Sequence, residues 1–312
     1  MSGKAKIGII GAGLMGHGIA QVFAVAGHDV TITDTFETAR KAALERVTKN
    51  LVDMNLDTAA IKRITVCEDL ASTVKNADVV IEAALENMEL KQKLFVDIEA
   101  AAPAHAILAS NTSVMPITQI MTHLKDKSRA LGTHWWNPPF LVPLVEVVRT
   151  VDTSDATVRT ILDLLNAAGK TAVEVKKDVP GFVGNRLQHA LWREAISIVE
   201  QGICDAEMVD MVVKASFGRR LPVLGPLENA DMVGTDLALA IHQQVLPYID
   251  STPGPSPYLE KLVKEGKLGF KSGEGLMKWS PEAQAALRKK MIDHLMEMEA
   301  KDKAARETKS SS

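Results

Sequence analysis

Cysteine is close to absent: Cys67 and Cys204 are the only two in 312 residues. Two thiols do not make the framework of a disulfide-stapled secreted domain, and their separation matches no metal-binding spacing. Both are expected as reduced packing residues, and no resident metal is expected. Charge of one sign is also missing. Lys and Arg number 36 against 39 Asp and Glu, a formal net charge of -3, which offers no basic surface to nucleic acid. No apolar run approaches the ~20 residues that span a bilayer. The N-terminal apolar run is short and interrupted by Gly8 and Gly11, so it does not read as a signal-peptide core. Internal repeats and low-complexity core segments are absent as well. What is left is an ordinary globular profile, 46% apolar and 24% charged, with the cytoplasm as default compartment and room for two domains.

One stretch organises the rest. Residues 6–34 read KIGIIGAGLMGHGIAQVFAVAGHDVTITD. Ile7–Ile10 is a buried-strand pattern. Gly11, Gly13 and Gly16 follow as G-x-G-x-x-G. Leu14–Ala26 is expected as a helix with Leu14, Gly18, Val22 and Val25 on one face and Gly27 just past its end. Asp29–Thr33 is a second strand, and Asp34 ends it. The three glycines act differently. Gly11 permits the tight turn, Gly13 lets a pyrophosphate approach the backbone, and Gly16 lets helix and strand pack closely. The helix N-terminus then meets the phosphates, with Leu14 and Met15 beside them. Asp34 is placed to accept from the adenosine ribose hydroxyls and to repel a 2′-phosphate, and neither Thr35 nor Phe36 supplies positive charge. The expected cofactor is NAD.

Further along, strands and helices alternate with short connections. Helices are expected over Glu37–Met54, Asn87–Ala101, Pro116–Met121 and Asp155–Ala168, and strands over Ala77–Ala83, Ala106–Ala109, Arg129–His134, Val142–Arg149 and Thr171–Lys176, with a return to the sheet over Ala59–Thr65. This is an α/β pattern with a doubly wound, mainly parallel sheet. The last strands lie too close in sequence for every connection to be a crossover, so some should be antiparallel. Beyond residue 180 no convincing strand is visible. Gly181–Glu200, Ala206–Ala215, Pro226–Leu246, Ser256–Lys264 and Pro281–Ala300 look helical, and the polar tail Lys301–Ser312 is expected to fray. Two domains follow: 1–180, binding NAD, and 181–312, all-helical.

In such sheets ligands lie beyond the carboxyl ends of the strands. Ser110–Ser113 and His134 fall there, and a fold-back of the following loop brings Glu146 beside His134. Oxidising an alcohol by hydride transfer needs a base for the hydroxyl proton. Imidazole suits that role because it titrates near physiological pH, and a carboxylate on its other nitrogen would orient it and stabilise its cation. A lone histidine is otherwise a hydrogen-bonded core or surface residue.

The motifs GAGLMG (11–16), IEAALENMELK (81–91), SNTS (110–113), GTHWWNPPFLVPLVEVV (132–148) and PGFVGNRL (180–187) together resemble the L-3-hydroxyacyl-CoA dehydrogenase family, including its relatives acting on free acids such as L-gulonate and L-carnitine. The resemblance covers nearly the whole chain. It implies a Rossmann-type domain followed by a helical domain that forms a homodimer. It implies that His134 is the catalytic base and Glu146 its paired carboxylate. Ser113 and Asn185 would contact the reacting oxygen or position the histidine. Glu86 and Lys91 would lie near the nicotinamide end of NAD, with Asn111 among the cofactor contacts. Other readings exist: Ser113 as a helix cap, and Lys91 as a solvated helix charge. A non-catalytic, crystallin-like NAD-binding protein is the rival from another class, and the intact Ser113, His134, Glu146 and Asn185 set argues against it.

Substrate choice divides two ways. Glu265–Gly275 (EGKLGFKSGEG) resembles the acyl-CoA branch. The segment between Asp34 and Ala77 looks short for a CoA clasp, however, and Gly218-Arg219-Arg220 resembles the Gly-x-Arg pattern of the gulonate and carnitine branch. An arginine fork binds a carboxylate by two charge-assisted hydrogen bonds, so Arg220 is the candidate for a free-acid substrate. Arg219 and Arg220 as surface or dimer-interface residues is the plainer reading. Trp135 and Trp136 stand where phenylalanines are usual, either narrowing the pocket or filling the core behind it. Arg193 is a further candidate charge.

Overall fold

Residues 4–310 are described by the structure, a computed structural model. The chain divides into two compact units, Met1–Asn185 with Ile292–Ser312, and Arg186–Met291. The first unit opens with β1 (Lys6–Ile10), α1 (Gly16–Val25), β2 (Asp29–Thr33), α2 (Glu37–Asp53), β3 (Ile64–Val66), α3 (Leu70–Val74) and β4 (Val79–Glu82). It continues with α4 (Met88–Ala101), β5 (Ile107–Ser110), α5 (Ile117–Ile120), β6 (Ala130–Trp135), β7 (Leu144–Val148), α6 (Asp155–Ala167) and β8 (Thr171–Val175).

The strands form one sheet in the order β3-β2-β1-β4-β5-β6-β7-β8. All neighbours are parallel except β6 and β7. The link between those two, residues 136–143, is too short for a crossover helix, so the chain folds straight back. The sheet is the Rossmann-type, doubly wound one. Its strand order reverses between β1 and β4, which is where such sheets hold dinucleotides. Side chains alternate between two apolar layers. Along β4, Val79 and Ile81 join one cluster and Val80 the other; along β5, Ile107 and Ala109 oppose Leu108. Burial on both faces is why these strands read as continuous apolar runs. Each fully buried Ile or Leu contributes about 1.5–3 kcal/mol by leaving water.

Several expectations need correction. The first helix is bounded at Gly16 and not Leu14, although Met15 already has helical angles and the Gly13 carbonyl accepts from the His17 amide. A Cβ on Gly16 would stand 1.8 Å from the Gly11 carbonyl oxygen, which is why position 16 is glycine. Leu14 lies in the turn ahead of the helix, 65% exposed, so it is not one of the helix-face residues, and Val25, within the helix, is exposed too. Residues 58–63 form a 3-10 turn before β3, with Asp57 accepting from the Ala59 amide. Helix α3 escaped the periodicity because it is only five residues long; Asp69 caps it by accepting from the Ser72 amide.

The second unit is helical: most of α7 (Gly184–Glu200), then α8 (Ala206–Ala215), α9 (Pro226–Val233), α10 (Thr235–Val245), α11 (Pro257–Lys264) and the start of α12 (Pro281–Ser310). The single helix expected over 226–246 is two, broken at Gly234, whose φ of 96° no helix accommodates. The expected fray after Lys301 is also wrong, since α12 continues to Ser310, with Arg306 paired to Glu299 and donating to the Gly169 carbonyl. Ser311 and Ser312 lie outside the described residues.

Candidate active site

The glycine turn carries the cofactor end. Gly11 has a φ of 106°, and its amide donates to the Thr33 carbonyl at 2.8 Å, tying the turn to the end of β2. A Cβ on Gly13 would meet nothing within 4 Å. That open space lies at the wall of a cavity of about 940 Å³, lined among others by Gly11, Leu14, Met15, Asp34, Phe36 and Ala84. Asp34 accepts from the Ala12 amide at 2.8 Å and from the Phe36 amide at 2.9 Å. Its carboxylate is thus fixed between the glycine turn and the start of α2. Cationic charge on this cavity is largely engaged. Arg46 donates to the Ala12 carbonyl and Lys49 is paired with Asp53. His17 Nδ1 donates to the Gly13 carbonyl, and burial lowers its pKa, favouring the neutral ring. A roomy turn beside a fixed carboxylate fits NAD.

The chemical end is built from two antiparallel strands. In the β6–β7 register His134 faces Glu146 directly. Both are buried, and His134 Nδ1 lies 2.7 Å from Glu146 Oε2. Glu146 Oε1 accepts from the amides of Val183 and Gly184 at 2.9 and 3.0 Å. Burial pushes the Glu146 carboxyl up, but the His134 hydrogen bond and the Gly184 and Val183 amides outweigh it and hold the pKa below the usual carboxylate range. An ionised carboxylate only accepts, so Nδ1 carries a proton, and Nε2 is the nitrogen that acts as base in the neutral ring. Trp136 and Phe182 flank the imidazole, with ring centroids 5.4 and 5.6 Å away. Gly184 has to be glycine here, since its Cβ would stand 2.5 Å from Trp136 Cζ2.

The other candidates of the first unit are linked to one another, and Asn111 to the strand that carries His134. Asn185 Nδ2 donates to the Ser113 carbonyl at 2.9 Å. Glu86 accepts from the Ser113 amide at 2.7 Å and from Thr112 Oγ1. Asn111 Oδ1 accepts from the amide of Trp135, the residue after the histidine. Trp135 itself is core, 2% exposed. Lys91 is not a solvated helix charge: it is 1% exposed and sits 2.6 Å from Glu82 and 3.5 Å from Glu86. Arg220 belongs to the second unit, where it is exposed and follows a short 3-10 turn. Sequence reasoning missed Glu82 and the two amides that hold Glu146. Glu82 did leave a signal, as a carboxylate closing an otherwise apolar strand. The amides left none, because any residue type except proline supplies one.

Residues 6–179 match the family model for the 3-hydroxyacyl-CoA dehydrogenase NAD binding domain, and residues 181–279 match that family's C-terminal domain. The chain is 35% identical over 288 residues to 5-formyl-3-hydroxy-2-methylpyridine 4-carboxylate 5-dehydrogenase of Mesorhizobium japonicum, covering 91% of this chain and 93% of the relative. A crystal structure of an enzyme of that same name, described as an NAD+-dependent dismutase, superposes with a TM-score of 0.90 at 33% identity, covering 96% and 99% of the two chains. The (S)-3-hydroxybutyryl-CoA dehydrogenase of Ralstonia eutropha superposes with a TM-score of 0.74 at 34% identity, covering 89% and 100%. Matched over both of its regions, the chain belongs to the 3-hydroxyacyl-CoA dehydrogenase family of NAD-dependent oxidoreductases acting on CH–OH groups.

Proposed function

We propose that the protein oxidises the secondary alcohol of a small free hydroxy carboxylate, with His134 as general base and Glu146 as its partner. The observation that carries this reading is the buried 2.7 Å contact between His134 and a carboxylate already held by two backbone amides. Bound NAD+ supplies the hydride acceptor. His134 Nε2 takes the hydroxyl proton as the carbinol C–H leaves with its electron pair and the C=O bond forms. Glu146 stabilises the resulting imidazolium. Ser113 and Asn185 orient the reacting oxygen. Trp136 and Phe182 keep water from the imidazole.

The free-acid assignment is supported by the likeness to an enzyme whose name places a carboxylate on its substrate. Arg220, exposed in the second unit, is the residue offered for that carboxylate, on the Gly218-Arg219-Arg220 pattern. A 3-hydroxyacyl-CoA substrate is the second reading, favoured by the Glu265–Gly275 segment and by the hydroxybutyryl-CoA relatives. NADH absorbance against matched 3-hydroxy acids and 3-hydroxyacyl-CoAs decides between them. The expected result is a higher kcat/KM for the free acids. Arg220→Met should raise KM for the acid about tenfold or more while leaving NADH affinity alone, as loss of a charge-assisted pair implies. Preference for the thioester, or an indifferent Arg220→Met, would overturn the assignment.

We further infer that a second copy of the chain covers the helical unit. Within residues 186–291 only Ser197, Ala206 and Leu262 are buried, while Met211, Val212, Leu237, Leu239, Ile241 and Val245 are all about half-exposed or more. Apolar area of that extent is what a homodimer interface covers. Light scattering should return twice the 33.8 kDa of one chain, and Ile241→Glu should reduce it to one. A wild-type monomer at micromolar concentration is the contrary result.

A further inference from the structure

Glu82 is a buried carboxylate with three polar partners beside the cofactor cavity, and the proposed reaction makes no use of it. It closes β4, is 0% exposed, and pairs in register with Ile10 of β1 and Ser110 of β5. Its Oε1 accepts from Lys91 Nζ at 2.6 Å and from the Ala84 amide at 2.7 Å. Its Oε2 accepts from Ser110 Oγ at 2.7 Å, and its backbone carbonyl accepts from the Asn111 amide at 2.7 Å.

We propose that Glu82 is a positioning residue that sets the cofactor site through Lys91 and Ala84. Two walls of the site depend on it. On one side, the Ala84 amide bond holds the Ala83–Ala84 turn against Gly11, whose Cβ, if present, would stand 2.5 Å from the Ala83 carbonyl oxygen. Ala83, Ala84 and Leu85 line the cavity. On the other side, Glu82 anchors an ammonium that also reaches Glu86 at 3.5 Å. Glu86 is 41% exposed and free to turn to water, yet it is drawn inward and accepts from Thr112 and Ser113. One buried cation thus serves two carboxylates. The buried carboxylate fixes the ammonium, and the ammonium fixes the second, more exposed carboxylate.

Stability alone does not account for this arrangement. A buried ion pair is often replaceable by apolar residues of similar size with no loss of stability, whereas removing one partner strands the other. That contrast separates positioning from packing. The inference rests on NAD as cofactor and on Glu86 standing at its nicotinamide end.

The test measures NADH affinity by fluorescence titration and melting temperature without cofactor. Glu82→Gln and Glu86→Ala are each expected to weaken NADH binding at least tenfold. Glu82→Met combined with Lys91→Met removes both charges together, leaving only the Ala84 amide and the Ser110 hydroxyl without their acceptor; it should melt above Glu82→Met alone and still show the tenfold loss. Wild-type NADH affinity in the double variant or in Glu82→Gln, with Glu86→Ala weakened, overturns the role of Glu82 alone. Unchanged affinity in Glu86→Ala overturns the placement of Glu86 and this inference with it. Should the double variant fail to fold, Glu82→Gln still decides.

Discussion

His134→Ala is expected to lower kcat by about 10²- to 10⁴-fold, the usual contribution of a positioned general base, with NADH affinity within twofold or so of wild type. The effect is local. The imidazole stands opposite Glu146 on the neighbouring strand, and its removal leaves the sheet register and the glycine turn untouched. Glu146→Gln tests the same pair from the other side. The amide cannot accept at both of its terminal atoms, so either the His134 contact or the bonds from Val183 and Gly184 must suffer. Loss of the negative charge also removes what stabilises the imidazolium, so kcat should fall on the order of 10²-fold or more. Near-normal turnover in either variant would contradict the assignment. The linked effect on stability has a definite sign. Because the folded Glu146 pKa lies below its ordinary value near 4.5, its contribution is present above that value and is lost as pH falls through the folded pKa. Glu146→Gln should flatten that acid limb of the melting curve.

The second large effect separates the glycines of the turn. Gly13→Val should fold and melt like the wild type, because a Cβ there meets nothing within 4 Å. It should nevertheless lose NADH affinity by about 100-fold or more, since the added methyls fill the space where backbone and pyrophosphate must approach; two charge-assisted hydrogen bonds lost cost about that much. Gly16→Ala should do the reverse. Its Cβ would stand 1.8 Å from the Gly11 carbonyl oxygen, so the helix has to move off the strand, at a cost of about 1–3 kcal/mol or more. The checks are NADH titration and thermal melting on the same preparations. Equal behaviour of the two variants would mean that the turn is not arranged as described.

The proposed dimer surface lies on the second unit and the glycine turn on the first, so dimerisation and cofactor binding can be tested apart. A monomeric Ile241→Glu that keeps NADH binding would leave the cofactor site standing alone on the first unit.

Local pattern carried much of this protein. The apolar runs of β1, β2, β4 and β5 announced strands buried on both faces, and the three glycines with Asp34 announced a dinucleotide turn, since each feature depends on residues close in sequence. The fold-back joining His134 to Glu146 was also legible, because so few residues separate the two strands. Tertiary structure decided the rest. That Lys91 is buried and not solvated depends on Glu82, on another element. Beyond His134, what holds the Glu146 carboxyl below its usual range is the amides of Gly184 and Val183, far along the chain and anonymous in sequence. Helix length, too, was settled at Gly234 by a single backbone angle that periodicity cannot register. Side-chain type and spacing are written in the sequence; the partner that a buried charge or a backbone amide finds exists only once distant segments have been packed together.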